Sequence, residues 1–432
     1  MRILQITAGA ASMYCGSCLK DNALATELMA LGHDVVLLPF YTPTLTDERN
    51  VSNQKVFFGG ISVYLQQTMP LFRTLPRVFD KLWDSDWALR AASRKSIAVG
   101  AKFLGEMTVA VLEGAEGPIG KEFSKLTEWL STEPNYDVIS IPYTLLISLA
   151  PAMRKVAPKS KLICVLQGED LFLDGLPEPY RAQSMALVRQ HIHQVDLFVS
   201  VSQYYAKFMA GYLGIEPRKI VTVPIGIHSQ DFQPASELRI APPYKIGFFA
   251  RIAPEKGLHN LCEAYRLLRK MPGVPDTTLE VAGYLLAEHE SYLAALKAKM
   301  QEWGLASHFH YHGALDRAEK AAFLQGLDVF SVPSDYHEPK GLFLLEAMAS
   351  GVPVVQPSHG AFPELLNQTG GGLLVEPGNP QALADGLMQF LVDRQAAAKA
   401  AQAGAAGVRQ FFTARHMAQQ TATAFAAALG TS

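Results

Sequence analysis

The stretch that decides the fold is SDYHEPKGLFLLEAMASGVPVV, residues 334–355. It follows an apolar run from Val329 to Pro333 that predicts a strand, and it continues into a helical pattern that begins near Gly341. Gly351 and Pro353 mark the end of that helix. A strand that turns into a helix in this way is one unit of a doubly wound parallel sheet, which binds ligands at the carboxyl ends of its strands. The stretch therefore predicts a ligand-binding turn.

The same alternation of short apolar runs and helical patterns extends along the rest of the chain. Near-continuous apolar strands are expected where helices cover both faces of a parallel sheet. Two series of such runs predict two doubly wound domains. The first series is Ile3–Thr7, Asp34–Pro39, Val138–Ile141, Lys161–Leu166, Leu197–Val201 and Ile220–Val223. The second series is Lys245–Ala250, Thr278–Ala282, Phe309–His312, Val329–Val332 and Pro353–Gln356.

Three segments interrupt this alternation. The Pro-containing segment from Asp231 to Tyr244 has the composition of a linker, so we place the join between the domains there. From about Phe57 to Pro134 helical stretches such as Arg77 to Ser93 replace the strands, which predicts a helical insertion. The Ala-rich segment Gln395 to Leu429 predicts two packed terminal helices.

Composition excludes several classes of protein. Of the 432 residues 49% are hydrophobic, too many for a disordered chain and enough for two domains. A formal charge of -2 provides no basic field, so no nucleic-acid partner is predicted. The first residues are too weakly apolar for a signal peptide, and nowhere do about 18 apolar residues run together. We therefore expect a cytoplasmic protein and leave peripheral contact with the inner membrane face open.

Two glutamates and two cations stand where such sheets bind ligands. Glu338 in the loop and Glu346 inside the helix supply acceptors for sugar hydroxyls. Arg251 follows the first strand of the second series and Lys256 precedes the next helix, where two cations would neutralise a pyrophosphate. Backbone N–H groups at the helix N-terminus, left bare by Gly341, could receive a phosphate. The alternative for each of these residues, taken singly, is that it is an ordinary solvated surface side chain.

Glu338 through Glu346 resembles the Glu-x7-Glu signature of family 4 retaining glycosyltransferases, and the flanking Leu-Glu-Ala-Met-Ala-x-Gly-x-Pro-Val-Val pattern is similar too. The resemblance covers nearly the whole chain and is strongest from Val223 to Glu376. It implies the GT-B fold, an α/β architecture of two doubly wound, Rossmann-like parallel-sheet domains facing across a cleft.

The resemblance also implies domain bounds. Residues 1–235 would form the acceptor-side domain, with the helical insertion near 57–134 and a crossing C-terminal helix at 412–432. Residues 236–411 would form the donor-binding domain.

The resemblance further implies roles for individual residues. Glu338 would contact the hydroxyls of the donor sugar and Glu346 the ribose of the nucleotide. Catalytic residues would then be Glu338, Arg251 and Lys256, and the remaining donor-binding residues would be Gly341, Leu342, Gly283, Gly313, Ala314, Leu315 and Gly16.

Acceptor-side candidates follow a strand of the first domain and are Gln167, Glu169 and Asp170. The family often has His at the position of Gln167. For Glu169 and Asp170 the alternative is capping of the next segment, and for the glycines it is ordinary turn chemistry.

The four cysteines do not form a disulfide framework in a chain of this length. Cys15 and Cys18 form one C-x2-C without further ligands at zinc spacing, so we expect packing in the loop, and their position before a helix leaves redox sensitivity open. The resemblance predicts no catalytic metal, since basic side chains and helix dipoles take its place.

The function predicted is transfer of a hexosyl group, with retention, from a nucleotide diphosphate sugar to an acceptor hydroxyl. We expect no cofactor, and a UDP-sugar rather than a GDP-sugar as donor. The acceptor, a glycan, lipid or small molecule, and the oligomeric state are left open. A GT-B sugar-nucleotide epimerase and a non-catalytic nucleotide-sugar-binding protein are the alternatives.

Overall fold

The computed structural model describes residues 1–9, 16–44, 46–53, 100–235 and 241–430. The chain forms two compact units. The first comprises Met1–Val223 with Met417–Ser432, and the second comprises Pro224–His416. The first unit thus ends ahead of the boundary we placed at residue 235.

The first unit contains a six-stranded sheet in the order β2-β1-β3-β4-β5-β6, and its neighbouring strands are parallel. All four residues of the central strand Val138–Ile141 are buried, as expected for a sheet covered on both faces. The strands are β1 (Arg2–Thr7), β2 (Asp34–Pro39), β3 (Val138–Ile141), β4 (Lys161–Leu166), β5 (Leu197–Ser200) and β6 (Ile220–Thr222).

Helices occupy the connections between these strands. They are α1 (Gly16–Ala30), α2 (Ala101–Glu113), α3 (Gly120–Thr132), α4 (Leu149–Val156), α5 (Asp170–Asp174), α6 (Tyr180–His191) and α7 (Gln203–Leu213). Of the predicted insertion, residues 57–99 lie outside the described residues, and with them the predicted helical stretch from Arg77 to Ser93. Residues 100–134 are described and contain α2 and α3.

The second unit contains another six-stranded parallel sheet, in the order β12-β11-β10-β7-β8-β9. Its last strand was not predicted, because that strand follows Gly370 and Gly371 and its residues are only half-buried. The strands are β7 (Tyr244–Phe249), β8 (Thr277–Ala282), β9 (Phe309–Tyr311), β10 (Val329–Phe330), β11 (Val354–Pro357) and β12 (Gly372–Val375).

The helices that follow complete the two doubly wound units. They are α8 (Leu258–Leu268), α9 (Glu290–Glu302), α10 (Arg317–Gln325), α11 (Leu342–Ala349), α12 (Phe362–Thr369), α13 (Pro380–Val392), α14 (Arg394–Phe411) and α15 (Ala414–Leu429). The predicted class of two doubly wound parallel sheets is confirmed. Helix α15 begins in the second unit and continues into the first.

The glycines that interrupt the Ala-rich segment are close-packing positions in α14. A Cβ on Gly407 would lie 2.7 Å from the Cα of Thr369, and one on Gly404 would lie 3.0 Å from the Cα of Gly371. Both glycines are buried. The backbone of α14 therefore approaches its neighbours more closely than any side chain would allow.

We expect Gly407→Ala to lower the free energy of unfolding by about 1 to 3 kcal/mol, because the added methyl overpacks this contact. Gly211→Ala is the matched control, since Gly211 is an exposed helical glycine in α7 with nothing within 4 Å of an added Cβ. That control should be stabilising by roughly 0.5 to 1 kcal/mol through helix propensity. Urea denaturation measures both changes, and equal gains for the two variants would contradict the packing argument.

Candidate active site

The candidate site of the second unit lies where its strand order reverses. β7 pairs with β8 on one side and with β10 on the other, so the chain builds the sheet outward from β7 in both directions. The segments after β7 and β10 leave the same edge side by side. Doubly wound sheets bind their ligands at such a switch point. Arg251 and Lys256 follow β7, and Glu338 follows β10.

An ion pair joins these two segments, because the Nζ of Lys256 donates a hydrogen bond to the Oε2 of Glu338. Glu338 is only 6% exposed. Burial acts to raise its pKa, but Lys256, Lys340 and a hydrogen bond from the backbone of Gly341 outweigh burial and hold the pKa of Glu338 below its ordinary value. Glu338 is therefore an ionised carboxylate at neutral pH.

The backbone of Glu338 is held by the segment that follows β11. The carbonyl of Glu338 accepts a hydrogen bond from the N–H of Ala361 at 2.8 Å. Gly360 has φ +58°, and a Cβ there would lie 2.6 Å from the carbonyl oxygen of Glu338. The rings of His337 and His359 stack with their centroids 4.6 Å apart. The segments that follow β7, β10 and β11 together fix the position of the Glu338 carboxylate.

The backbones of the two loops are also in direct contact. The carbonyl of Glu255 accepts hydrogen bonds from the N–H of Asp335 at 3.1 Å, from that of Tyr336 at 3.3 Å and from the hydroxyl of Ser334 at 2.9 Å. A Cβ on Gly257 would lie 1.8 Å from the carbonyl oxygen of Pro333, which explains the glycine after Lys256. These contacts place Lys256 against Glu338.

Arg251 is exposed and pairs with the carboxylate of Glu255, four residues further along the same loop. Its guanidinium keeps further N–H donors beyond this pair. Arg251 and Lys256 therefore stand on one short segment, the first at the surface and the second half-buried.

Helix α11 starts directly after this loop. Its N-cap is Gly341, buried and left-handed with φ +70°, and its first residue is the half-buried Leu342. No side chain caps this end. Its N–H groups and the positive end of the helix dipole face outward from the turn, an arrangement that favours an anion.

Glu346 lies inside α11 and is 6% exposed. Its Oε1 accepts a hydrogen bond at 2.7 Å from the Nζ of Lys320, a buried residue of α10. Sequence reasoning missed Lys320, since a single lysine in a helical pattern is most often solvent-facing. It also missed Gly360, although Gly360 follows a strand as Gly283 and Gly313 do, and that signal was available.

The strand-end glycines meet at the same edge of the sheet. The N–H of Gly283 donates to the carbonyl of Gly313 at 2.8 Å, and the hydroxyl of Tyr311 donates to the carbonyl of Gly283 at 2.9 Å. A Cβ on Gly283 would lie 1.7 Å from the carbonyl oxygen of Ala250, so β7, β8 and β9 end against one another. Ala314 is exposed and Leu315 is half-buried beyond this junction.

In the first unit, Gly16 is the first residue of α1. The loop before it, with Cys15, lies outside the described residues, whereas Cys18 is buried in α1. Gln167 is buried after β4 and donates from Nε2 to the carbonyl of Pro142 at 2.6 Å, while its buried Oε1 has no hydrogen-bond partner in the described part of the chain.

Glu169 and Asp170 are buried within a network of the same unit. The carboxylate of Glu169 accepts hydrogen bonds from the N–H groups of Gln167 at 2.8 Å and Gly168 at 3.0 Å, and from both the N–H and the hydroxyl of Thr144. The hydroxyl of Tyr205 lies 2.6 Å from Asp170 and 3.2 Å from Glu169. Both carboxylates are therefore engaged internally, and contact with an acceptor stays a prediction.

Two features are absent from the described residues. No group of three or more His, Cys, Asp or Glu side chains there is placed to hold a metal ion. No helix in that part of the chain combines the length and the apolar character needed to cross a bilayer.

Two doubly wound parallel sheets, with cations and carboxylates gathered at a switch point, define a protein of the GT-B class. HepE of Anabaena in complex with UDP and glucose has this fold, with a TM-score of 0.68 over 99% of both chains at 18% identity. Residues 229–407 match the family described as glycosyl transferases group 1, and residues 111–231 match glycosyltransferase family 4. The chain belongs to the group 1, family 4 glycosyltransferases, and the predicted family is confirmed.

The curated proteins that are similar to this chain include two bacterial mannosyltransferases. The GDP-mannose-dependent alpha-(1-6)-phosphatidylinositol monomannoside mannosyltransferase of Mycobacterium tuberculosis is 26% identical over 59% of this chain and 66% of its own length. The lipopolysaccharide core biosynthesis mannosyltransferase LpsB of Rhizobium meliloti is 32% identical over 42% of this chain and 53% of its own. The chain spans about half to two thirds of the length of the curated relatives it matches.

Acid should remove the stabilisation that Glu338 contributes. Because folding lowers the pKa of Glu338, its contribution is present above the ordinary carboxyl value of 4.5 and is lost as the pH falls through the lowered folded value. The difference in unfolding free energy between wild type and Glu338→Gln should therefore shrink between pH 7 and pH 3 in urea titrations. Glu302→Gln, at an exposed glutamate, is the control. A difference that is constant with pH would contradict the ion-pair account.

Proposed function

We propose that this protein transfers a hexosyl group from a nucleotide diphosphate sugar to an acceptor hydroxyl with retention at the anomeric carbon. The observation that carries the proposal is the part-buried Lys256–Glu338 pair beside the uncapped N-terminus of α11. Membership of the group 1, family 4 glycosyltransferases supports it.

The positive groups at the switch point would receive the diphosphate. Arg251, Lys256 and the backbone N–H of Leu342 stabilise the negative charge that develops as the diphosphate departs, while the N–H of Gly341 is shared with the carboxylate of Glu338. An ammonium has three N–H donors, so Lys256 can retain Glu338 and still contact a phosphate oxygen. These groups supply positive charge without a metal ion, so we keep metal independence as part of the proposal.

Glu338 would bind the sugar as an anion. Because its pKa lies below the ordinary carboxyl value, it accepts hydrogen bonds from sugar hydroxyls and does not serve as a proton donor near neutral pH. Its negative charge also stabilises an oxocarbenium-like state. Attack by the acceptor oxygen on the face that the diphosphate leaves then gives retention, and the hydroxyl proton passes to the departing diphosphate.

The proteins similar to this chain point to two different donor nucleotides, GDP and UDP. The mycobacterial relative is named as GDP-mannose-dependent, whereas the similar Anabaena structure holds UDP. Our expectation of UDP over GDP stays a prediction, as do the acceptor and the cytoplasmic location. The buried Oε1 of Gln167 is an acceptor-side candidate for a substrate hydroxyl.

The deciding experiment is a thermal-shift titration with UDP, GDP and their hexose conjugates, since a ligand that binds only the folded state stabilises it by mass action. Product analysis of the stabilising donor follows, with and without glycan and lipid acceptors. Transfer with retained anomeric configuration supports the proposal. Binding without turnover on any acceptor, or isomerised sugar formed without acceptor, would assign the site to a sensor or an epimerase instead.

Glu338→Gln and Lys256→Ala should each lower kcat by about a hundredfold or more, because each removes charge stabilisation of the transition state. Steady-state kinetics at saturating donor measure the change. Glu302→Gln and Lys270→Ala alter the same residue types at exposed positions of the second unit and should leave kcat unchanged. Near wild-type kcat in either site variant would remove that residue from the mechanism.

Glu346→Ala should act mainly on donor binding. A ribose contact made equally in the ground and transition states raises KM more than it lowers kcat. We expect donor KM to rise about tenfold or more, with kcat within about threefold of wild type. Loss of kcat at unchanged donor affinity would instead place Glu346 in the chemistry.

A further inference from the structure

Lys320 is a buried cation that the mechanism above does not use. It is 5% exposed, and its Nζ lies 2.7 Å from the Oε1 of Glu346. The same ammonium lies 5.4 Å from the ring centroid of Phe232 and 5.9 Å from that of Phe249. A lysine is rarely buried this far unless it is paired, and here a carboxylate and two aromatic faces compensate its lost hydration.

The fold holds Lys320 in place from both sides along α10. The helix starts in a capping box, in which the Asp316 carboxylate accepts from the N–H of Glu319 and the Glu319 carboxylate accepts from that of Asp316. The Nε of Arg317 donates to Asp231 at 3.1 Å. Further along, the ring of Phe323 packs against Phe249 with centroids 6.2 Å apart. The ammonium is therefore presented from an anchored helix.

One carboxylate oxygen of Glu346 can still accept a hydrogen bond from another donor. Lys320 engages Oε1, and in the described part of the chain no hydrogen bond reaches Oε2. Without a cation this buried carboxylate would lack a counter-charge, and no hydrogen bond in the described part of the chain would hold its orientation. Lys320 thus acts on both the charge and the orientation of Glu346.

We propose that Lys320 is a positioning residue for nucleotide recognition, which supplies the counter-charge of Glu346 and turns its Oε2 toward the ribose hydroxyls of the donor. The proposal rests on the proposed function, in which Glu346 binds the ribose. It adds a residue on a different helix to the donor site. Lys320 acts through Glu346 and need not touch the nucleotide itself.

The experiment compares the affinity for a nucleoside diphosphate, UDP or GDP, with that for its 2′,3′-dideoxy counterpart by calorimetry. Wild type should prefer the ribose form by about tenfold or more, as expected for hydrogen bonds to a charged group. Lys320→Met should reduce this preference to about threefold or less at pH 7, because Glu346 loses the hydrogen bond that orients it. Lys320→Arg, which retains the charge, should restore most of the preference at pH 7.

Two controls separate this role from a merely structural one. Arg394→Met breaks another part-buried ion pair of the second unit, with Asp328 at 2.8 Å, and should cost stability but leave the ribose preference unchanged. In a Glu346→Gln background, Lys320→Met should change the preference by less than about twofold, because the two residues act as one unit. Should Lys320→Met fail to fold, Lys320→Gln provides the uncharged variant for the same comparison.

The outcomes are distinct. A folded, uncharged Lys320 variant with wild-type ribose preference at pH 7 overturns the positioning role and leaves the proposed function intact. Wild type that binds the diphosphate without any ribose preference overturns the role of Glu346 and this inference together. Wild type that binds neither UDP nor GDP overturns the proposed function itself.

Discussion

The ion pair between the half-buried Lys256 and the buried Glu338 is the interaction on which the arrangement of the second unit depends. A carboxylate that is 6% exposed requires a counter-charge, and removing one partner of such a pair leaves an uncompensated buried charge. The two residues lie 82 positions apart, so their pairing needs adjacent parallel strands that end at the same edge. Gly257 and Gly360 make this arrangement possible, because at each of them another backbone segment comes closer than any Cβ would allow.

The Lys320–Glu346 pair is a second ion pair of the same kind and joins helices α10 and α11. Glu338 and Glu346 belong to one continuous segment, yet their lysines come from different elements, the loop after β7 and helix α10. Each glutamate is thereby neutralised before any ligand arrives. Under the proposed function, a diphosphate approaching the N-terminus of α11 would be attracted by Arg251 and the helix dipole without net repulsion from the two carboxylates. Without the lysines the same glutamates would repel the donor.

Much of the fold could be predicted because buried parallel strands leave a strong local signal. Every strand predicted in the two series is present, whereas β12 follows two glycines and has only three apolar residues, a run too short to be recognised. The charged residues of the site could be nominated from their positions after strands. Their pairing could not, because a hydrogen bond between distant loops depends on packing. Lys320 left no local signal, because burial of a helical lysine is decided by Phe232 and Phe249, which are remote in sequence.

The two units use their buried carboxylates in different ways, and the donors that satisfy them explain the difference. In the first unit, Glu169 is bonded by backbone N–H groups and by the hydroxyls of Thr144 and Tyr205, each of which has a single hydrogen to give. Those donors are used up, so the network holds the loop after β4 rigid. In the second unit the donors include ammonium groups, each of which has three N–H bonds. Under the proposed function, Glu338 can therefore remain paired with Lys256 while the same cation binds a phosphate.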